Sequence, residues 1–256
     1  MEIEEEFSIP ITFYKMDQDK KFCEFIEYIN SKYKNSTFSG DNLITFGRAL
    51  TFLRDKKFVE TLFSHPNKNS RFLSWRLHTA YWAAKKALLL DGDFVECGVE
   101  GAITSTQIIN YLDFKQTNKH FYLYDTFGGI PESYLKKHQE LIKINHYDTV
   151  VDNYKIICDR FRNYNNIHII KGTLPESLNE ACPEKIAFLH LDLSNFPSEY
   201  DILEILINKI VPGGMVLFQS FGIVFYECYK IASAPYITER GLSVLELPTG
   251  QGLLIL

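Results

Sequence analysis

Apolar residues follow two rhythms along the chain, helical up to about residue 90 and strand-like beyond it. From Asp19 to Tyr33, Phe22, Phe25, Ile26 and Ile29 recur at offsets of three and four and predict an amphipathic helix. A polar stretch, Asn35 to Asn42, separates it from a segment carrying Leu43, Phe46, Leu50 and Leu53. Ser70 to Leu90 is the strongest helical pattern, with Leu73, Leu77, Ala80, Tyr81, Ala84 and Leu88 in period, and it stops at Asp91-Gly92. From Asp93 the rhythm becomes strand, helix, strand. Short apolar runs at Asp93–Val99, Phe121–Asp125, Ile167–Ile170, Ile186–Leu193 and Met215–Phe218 read as buried parallel strands, with helical segments at 104–113, around 140–163 and at 199–210. This alternation predicts an α/β fold built on a doubly wound sheet.

The tail departs from that rhythm. Leu242–Leu247 and Gly252–Leu256 are separated only by Pro248-Thr-Gly-Gln251, too short for a crossover helix, so the two runs form an antiparallel hairpin. A Rossmann-like, mostly parallel sheet closed by such a hairpin is the arrangement of class I methyltransferases. Dinucleotide dehydrogenases lack the hairpin, and their G-x-G-x-x-G fingerprint is absent here.

With 256 residues, 46% of them hydrophobic, the chain has material for one sizeable core and a small appendage. The expected organisation is an N-terminal helical cap or oligomerisation segment over 1–70, then a domain over 71–256 with a lid-like insertion at 128–165. Lys and Arg total 27 against 32 Asp and Glu, a net charge of -5 without a basic block, which argues against nucleic acid as a partner. The acidic start, Met1-Glu-Ile-Glu-Glu-Glu6, and the lack of any long apolar run exclude an ordinary signal peptide and a membrane span, so a cytoplasmic protein is expected. The five cysteines, 23, 97, 158, 182 and 228, include no C-x-x-C pair, which fits a reduced protein without a zinc cluster.

Candidate chemistry gathers at the predicted carboxyl edge of the sheet. In Glu96-Cys-Gly-Val-Glu-Gly-Ala102, Gly98 and Gly101 let the backbone approach a ligand beside a helix start; the alternative is a tight structural turn. Asp125 ends the second strand, placed either to accept a ribose diol or to cap a turn. Gly172-Thr-Leu-Pro175 is a further loop at the edge where an adenine would lie. In Phe188-Leu-His-Leu-Asp192, His190 and Asp192 share one face, Asp192 at the ligand end and His190 deeper, as a catalytic or a hydrogen-bonded core histidine. His78 faces either the pocket or solvent. Glu132, His138 and His146 lie in the long insertion, which reads as a lid, a substrate wall, a surface elaboration or a dimer contact. Phe38, Phe46, Phe52, Phe58 and Phe63 either line an acceptor pocket or pack helices against a partner subunit, and packing is the preferred reading.

Six blocks in order resemble the macrocin and mycinamicin O-methyltransferases, the TylF-like family of class I S-adenosylmethionine-dependent enzymes. They are Gly92-Asp-Phe-Val-Glu-Cys-Gly98, Tyr124-Asp-Thr-Phe-Gly-Gly-Ile-Pro131, Gly172-Thr-Leu-Pro-Glu-Ser-Leu178, Leu191-Asp192, Val211-Pro-Gly-Gly214 and Leu247-Pro-Thr-Gly-Gln-Gly252. The resemblance implies S-adenosylmethionine as cofactor. Glu96, Gly98, Gly101, Thr104 and Ser105 would hold its methionine portion, Asp125 its ribose with Thr126 and Phe127 alongside, and Gly172 and Thr173 its adenine. It implies a small polar acceptor, a sugar or nucleotide-linked sugar, and a homo-oligomer, first of all a dimer.

The departures are chemical. In the family, magnesium is held by the aspartate matching Asp192 and by an Asp-Asp pair that falls here on Gln219 and Ser220, with Phe221 where a tyrosine commonly follows. The general base of members acting on antibiotic sugars falls on Ser194, and Phe196 stands where a tyrosine follows. An amide and a hydroxyl are poor magnesium ligands, so no protein-held metal is expected. Metal-free transfer to a hydroxyl or an amine is then expected, with Asp192 or His190 handling the proton or alignment alone driving the step. A catalytically inactive, methyltransferase-fold binding subunit is the alternative, and a dehydrogenase a distant one.

Overall fold

The computed structural model describes residues 20–33, 38–40, 43–65, 72–129, 153–193, 196–223 and 228–256. The chain forms two compact units, Met1–Thr79 and Ala80–Leu256.

In the first unit the periodicity of residues 19–33 becomes helix α1 (Lys20–Lys32), with Ile29 buried but Phe25 and Tyr28 exposed. The polar stretch after it, expected only to separate helices, contributes to a small antiparallel hairpin of β1 (Phe38–Gly40) and β2 (Leu43–Thr45). Helix α2 (Lys56–Ser64) is capped by Asp55, whose carboxylate accepts the Phe58 N–H at 3.1 Å. Phe38, Phe52 and Phe58 pack within the chain: Phe38 and Phe52 both meet Trp75, and Phe52 meets Phe58 edge-on. Phe46 and Phe63 are exposed. His78 lies in this aromatic group, stacked on Phe52 at 4.5 Å, where burial pulls its pKa down against the charge of Asp55. Helix α3 (Ser74–Ala87) realises the strongest pattern of the sequence.

The second unit is built on β3 (Asp93–Cys97), β4 (Phe121–Asp125), β5 (Ile167–Lys171), β6 (Ile186–Leu191), β7 (Ile210–Phe218), β8 (Leu245–Glu246) and β9 (Gly252–Ile255). They form one sheet in the order β5-β4-β3-β6-β7-β9-β8. The first five are parallel; β9 runs antiparallel to both β7 and β8, the hairpin expected from the tail. The helices are α4 (Ile103–Tyr111), α5 (Tyr154–Phe161), α6 (Phe196–Leu206) and the short α7 (Pro235–Thr238). Glu132, His138 and His146 lie outside the described residues, as does Ser194.

Strand alternation assigns each face its packing. Val95 and Cys97 point into a core with Leu189, Leu191, Val216, Phe218, Ile202, Leu203 and Leu254. The Cys97 thiol is fully enclosed there, and burial pushes its pKa up. On the opposite face Phe94 packs against Phe114, Phe121 and Phe188 at ring separations of 5.1–5.6 Å. Each such buried ring stabilises the fold by about 2–3 kcal/mol. Phe94 pairs in register with Phe188 and Glu96 with His190, so this aromatic face ends, at the carboxyl edge, in a buried polar pair.

Candidate functional site

The strand order reverses between β3 and β6, and the carboxyl ends at that switch are where open α/β sheets take ligands. Backbone bonds align these ends in one row. Gly98 N–H donates to Tyr124 O at 2.9 Å, Asp192 N–H to Cys97 O at 2.8 Å, Gln219 N–H to Leu191 O at 2.8 Å and Gly172 N–H to Asp125 O at 2.9 Å. The first residues past β3, β5, β6 and β7 therefore line up along the same edge of the sheet. Gly98, at φ +89°, is obligatory, since a Cβ there would lie 2.2 Å from the Asp192 carbonyl oxygen.

The loop after β3 is held by Asp125. Its Oδ2 accepts Val99 N–H at 2.7 Å and Glu100 N–H at 2.8 Å, and its Oδ1 accepts Phe127 N–H at 2.6 Å. The single carboxylate thus ties the loops after β3 and β4 together. It supports left-handed backbone at three residues that are not glycine, Glu100 (φ 46°), Ala102 (φ 55°) and Phe127 (φ 49°). Such strain, of order 1 kcal/mol or more per residue, persists only where the surroundings impose it. Asp125, read from the sequence as either a ribose acceptor or a turn cap, makes the turn-capping bonds, with three of its acceptor positions engaged by backbone.

Helix α4 starts from Ala102 without a side-chain cap, so donors of its first turn face outward uncapped. A Cβ at Gly101 would meet nothing within 4 Å, which marks open space in front of that start. Thr104 and Ser105 are buried in the same turn, and Ser105 Oγ makes no hydrogen bond among the described residues. Thr126 Oγ1 turns back on its own loop, donating to Gly129 O at 2.7 Å. Phe127 packs on Tyr154, over whose ring the Lys171 ammonium sits at 5.0 Å. Gly172 packs against Ser177, and Thr173 O accepts Ser177 N–H at 2.9 Å.

A buried polar chain crosses four strands at the same edge. Glu96 Oε1 lies 2.8 Å from His190 Nδ1, and His190 Nε2 lies 3.4 Å from Gln219 Oε1. Gln251 Nε2 donates to Gln219 Oε1 at 2.9 Å, and Thr249 Oγ1 donates to Gln251 Oε1 at 2.9 Å. Burial alone would pull the His190 pKa down. The hydrogen bond and charge of Glu96, the charge of Asp192 and the Gln219 hydrogen bond outweigh it and hold the imidazole above its ordinary value. Glu96 Oε2 is buried with no hydrogen-bond partner among the described residues. His190 is fully enclosed, with a partner at each ring nitrogen. Asp192 is half-buried one step beyond it, and the following Leu193 N–H is held by Glu199 Oε1 at 3.1 Å.

The donor set matching the family's metal position suits magnesium poorly. Magnesium takes hard oxygen ligands in octahedral array, mostly carboxylates and water. Asp192 offers one carboxylate, whereas Gln219 Oε1 already faces two partners within the protein. No group of three His, Cys, Asp or Glu able to hold a metal occurs among the described residues.

The level strand ends, the uncapped helix start and the antiparallel finish of the sheet define a class I methyltransferase fold. A family model described as Macrocin-O-methyltransferase (TylF) matches residues 78–243, and the chain belongs to that family of methyltransferases. Among solved structures it is similar to the O-methyltransferase NovP, with 18% identity and a TM-score of 0.54 over 70% of this chain and 78% of that one. It is also similar to the S-adenosylhomocysteine-bound methyltransferase PaMTH1 of Podospora anserina, with 12% identity and a TM-score of 0.50 over 96% and 97%. No curated protein matches it in sequence. No helix among the described residues is long and apolar enough to cross a membrane.

Gln251 and Thr249 entered the sequence reading only as members of a motif block. The period-two pattern places Glu96 and His190 on sheet faces but not against one another, because β3 and β6 are distant in the chain and register is set by tertiary docking.

Proposed function

We propose that the chain transfers a methyl group from S-adenosylmethionine to a small polar acceptor, a sugar or nucleotide-linked sugar hydroxyl or amine, without a tightly held divalent metal. The observation that carries this reading is the pairing of an uncapped α4 start with the buried Glu96 Oε2, which has no hydrogen-bond partner among the described residues, at the same strand end. An amino acid's carboxylate suits the first, because helix starts present free N–H groups and positive potential. Its ammonium suits the second, because a buried carboxylate oxygen without a hydrogen bond is costly until a donor reaches it. The residues present therefore fit the methionine end of the donor, with Glu96, Gly98, Gly101, Thr104 and Ser105 holding it. Asp125, Thr126, Phe127, Gly172 and Thr173 form the loops expected to flank the nucleoside.

When bound, the donor supplies an electrophilic methyl group on a sulfonium. The chain's own task is to align an acceptor lone pair with it and to receive the acceptor's proton. Asp192 is the carboxylate at the reacting end, and orientation alone supplies a large share of such a rate. His190 acts behind it as a buried support.

Calorimetric titration with S-adenosylmethionine and S-adenosylhomocysteine, after chelation and again with added magnesium, tests this reading. Binding of both ligands unaffected by magnesium is the expected result. Failure to bind either overturns the donor assignment, and methyl transfer that appears only with magnesium overturns the metal-free mechanism.

A further inference from the structure

Arg160 lies in the last turn of α5, outside every motif block of the sequence. Its Nη1 donates to Gly101 O at 3.1 Å and to Thr106 Oγ1 at 2.9 Å. Among the described residues no carboxylate is paired with it, although the side chain is half-buried. A buried guanidinium ordinarily sits opposite a carboxylate, so one spent on a backbone carbonyl and a hydroxyl has another task.

The backbone of the loop shows which task. Val99 N–H and Glu100 N–H go to Asp125, and Ala102 N–H goes to Val99 O at 2.7 Å. The peptide plane joining Gly101 to Ala102 is therefore gripped at its N–H end by the loop and at its C=O end by Arg160. That plane lies between two left-handed residues, Glu100 and Ala102. Thr106, the second acceptor, is one helical turn on, and its N–H bonds back to Ala102 O at 3.1 Å. One guanidinium nitrogen thus links the loop to the first turn of α4. The placement of the uncapped first turn against the loop follows from that link.

We propose that Arg160 is a positioning residue of the methyl-donor site: by holding the Gly101 carbonyl and the Thr106 hydroxyl together, it fixes the orientation in which the 98–102 loop and the α4 start meet the donor's amino-acid end. The inference rests on the donor assignment above and adds to it a residue from a different helix. Lysine supplies the charge but lacks the reach of the longer side chain and the fixed in-plane directions of the two Nη1 hydrogens, so it is a partial substitute.

The test compares wild type, Arg160→Gln and Arg160→Lys by calorimetry with two probes, S-adenosylhomocysteine and methylthioadenosine, the second of which lacks the amino-acid end. Thermal melting of each protein runs in parallel. Arg160→Gln is expected to weaken S-adenosylhomocysteine about tenfold, the scale of one lost charge-assisted hydrogen bond, while methylthioadenosine affinity stays within about twofold. Arg160→Lys is expected to fall between the two. A merely structural tie would lower the melting temperature and weaken both probes alike, and that result overturns the proposal. Unchanged S-adenosylhomocysteine affinity in Arg160→Gln, with wild type binding normally, overturns it as well. Wild type that binds neither probe refutes the donor assignment itself, which separates the two failures.

Discussion

Replacing Gly98 with alanine sets two glycines of one loop against each other. A Cβ at position 98 would lie 2.2 Å from Asp192 O, 2.6 Å from Asp192 C and 3.1 Å from Leu193 N, all backbone atoms that cannot swing aside as a side chain would. The residue also sits at φ +89°. Overpacking a tight contact costs about 1–3 kcal/mol and a left-handed non-glycine about 1–2 kcal/mol, so Gly98→Ala is expected to lose about 2–5 kcal/mol. For a domain of this size that lowers the melting temperature by roughly 4–20 °C. Gly101→Ala is the control. Its Cβ would meet nothing within 4 Å and its φ lies outside the left-handed region, so stability should hold or rise by about 0.4–1 kcal/mol. The same methyl group, however, occupies the space in front of the α4 start, and S-adenosylhomocysteine binding should weaken. Differential scanning fluorimetry gives the first quantity and calorimetry the second. Equal melting temperatures for the two variants would refute the reasoning about Gly98, and unchanged binding in Gly101→Ala would refute the placement of the donor.

Asp125→Asn keeps the shape but places an amide against three N–H donors, where only its one oxygen can accept. A loss of about 2–3 kcal/mol is expected by urea denaturation, and an unchanged midpoint would show that Asp125 is not the clamp of the two loops. His190→Leu strands the buried Glu96 carboxylate and should cost about 3–5 kcal/mol in the absence of any ligand; a neutral effect would remove His190 from its supporting role. His168 lies 2.8 Å from His120, and burial first, then the His120 charge, lowers its pKa despite the opposing charge of Asp93. A lowered folded value favours the neutral ring. The stability it contributes is complete above the ordinary value of 6.5 and drains away as pH falls toward the folded value. Melting curves of His168→Phe should therefore flatten against pH below that point, and an unaltered acid slope would disprove the linkage.

The strands of the second unit were legible because continuous apolar runs such as Ile186 to Leu191 leave few other readings, and the tail hairpin because Pro248 to Gln251 cannot bridge parallel neighbours. The small β1–β2 hairpin was not legible, since three-residue strands in a polar stretch carry no period. The start of β7 was also hidden. Val211-Pro-Gly-Gly214 has turn composition, yet it runs inside the strand from Ile210, where the register with β6 shifts between Ile186 and Phe188. That irregularity accommodates glycine and proline that a regular ladder would exclude. At the site, residue types were readable and their partners were not. Asp125 is acidic at a strand end in either role, and only the folded loops reveal that its oxygens face backbone. Arg160 gave no signal, because a basic residue closing a helix is ordinarily a response to the helix dipole.

The enclosure of Cys97 between β4 and β6 makes it a reporter written into the chain. A thiol with raised pKa and no exposure does not meet an alkylating reagent in the native state. Its modification requires the layer packed on that face of the sheet to lift away, so the labelling rate under native conditions measures how often the core over the middle of the sheet opens. Cys158 and Cys182, only partly covered, supply the comparison for openings confined to the periphery. Mass spectrometry after timed alkylation would thus separate fluctuations at the margins from loss of the scaffold, without a single engineered probe.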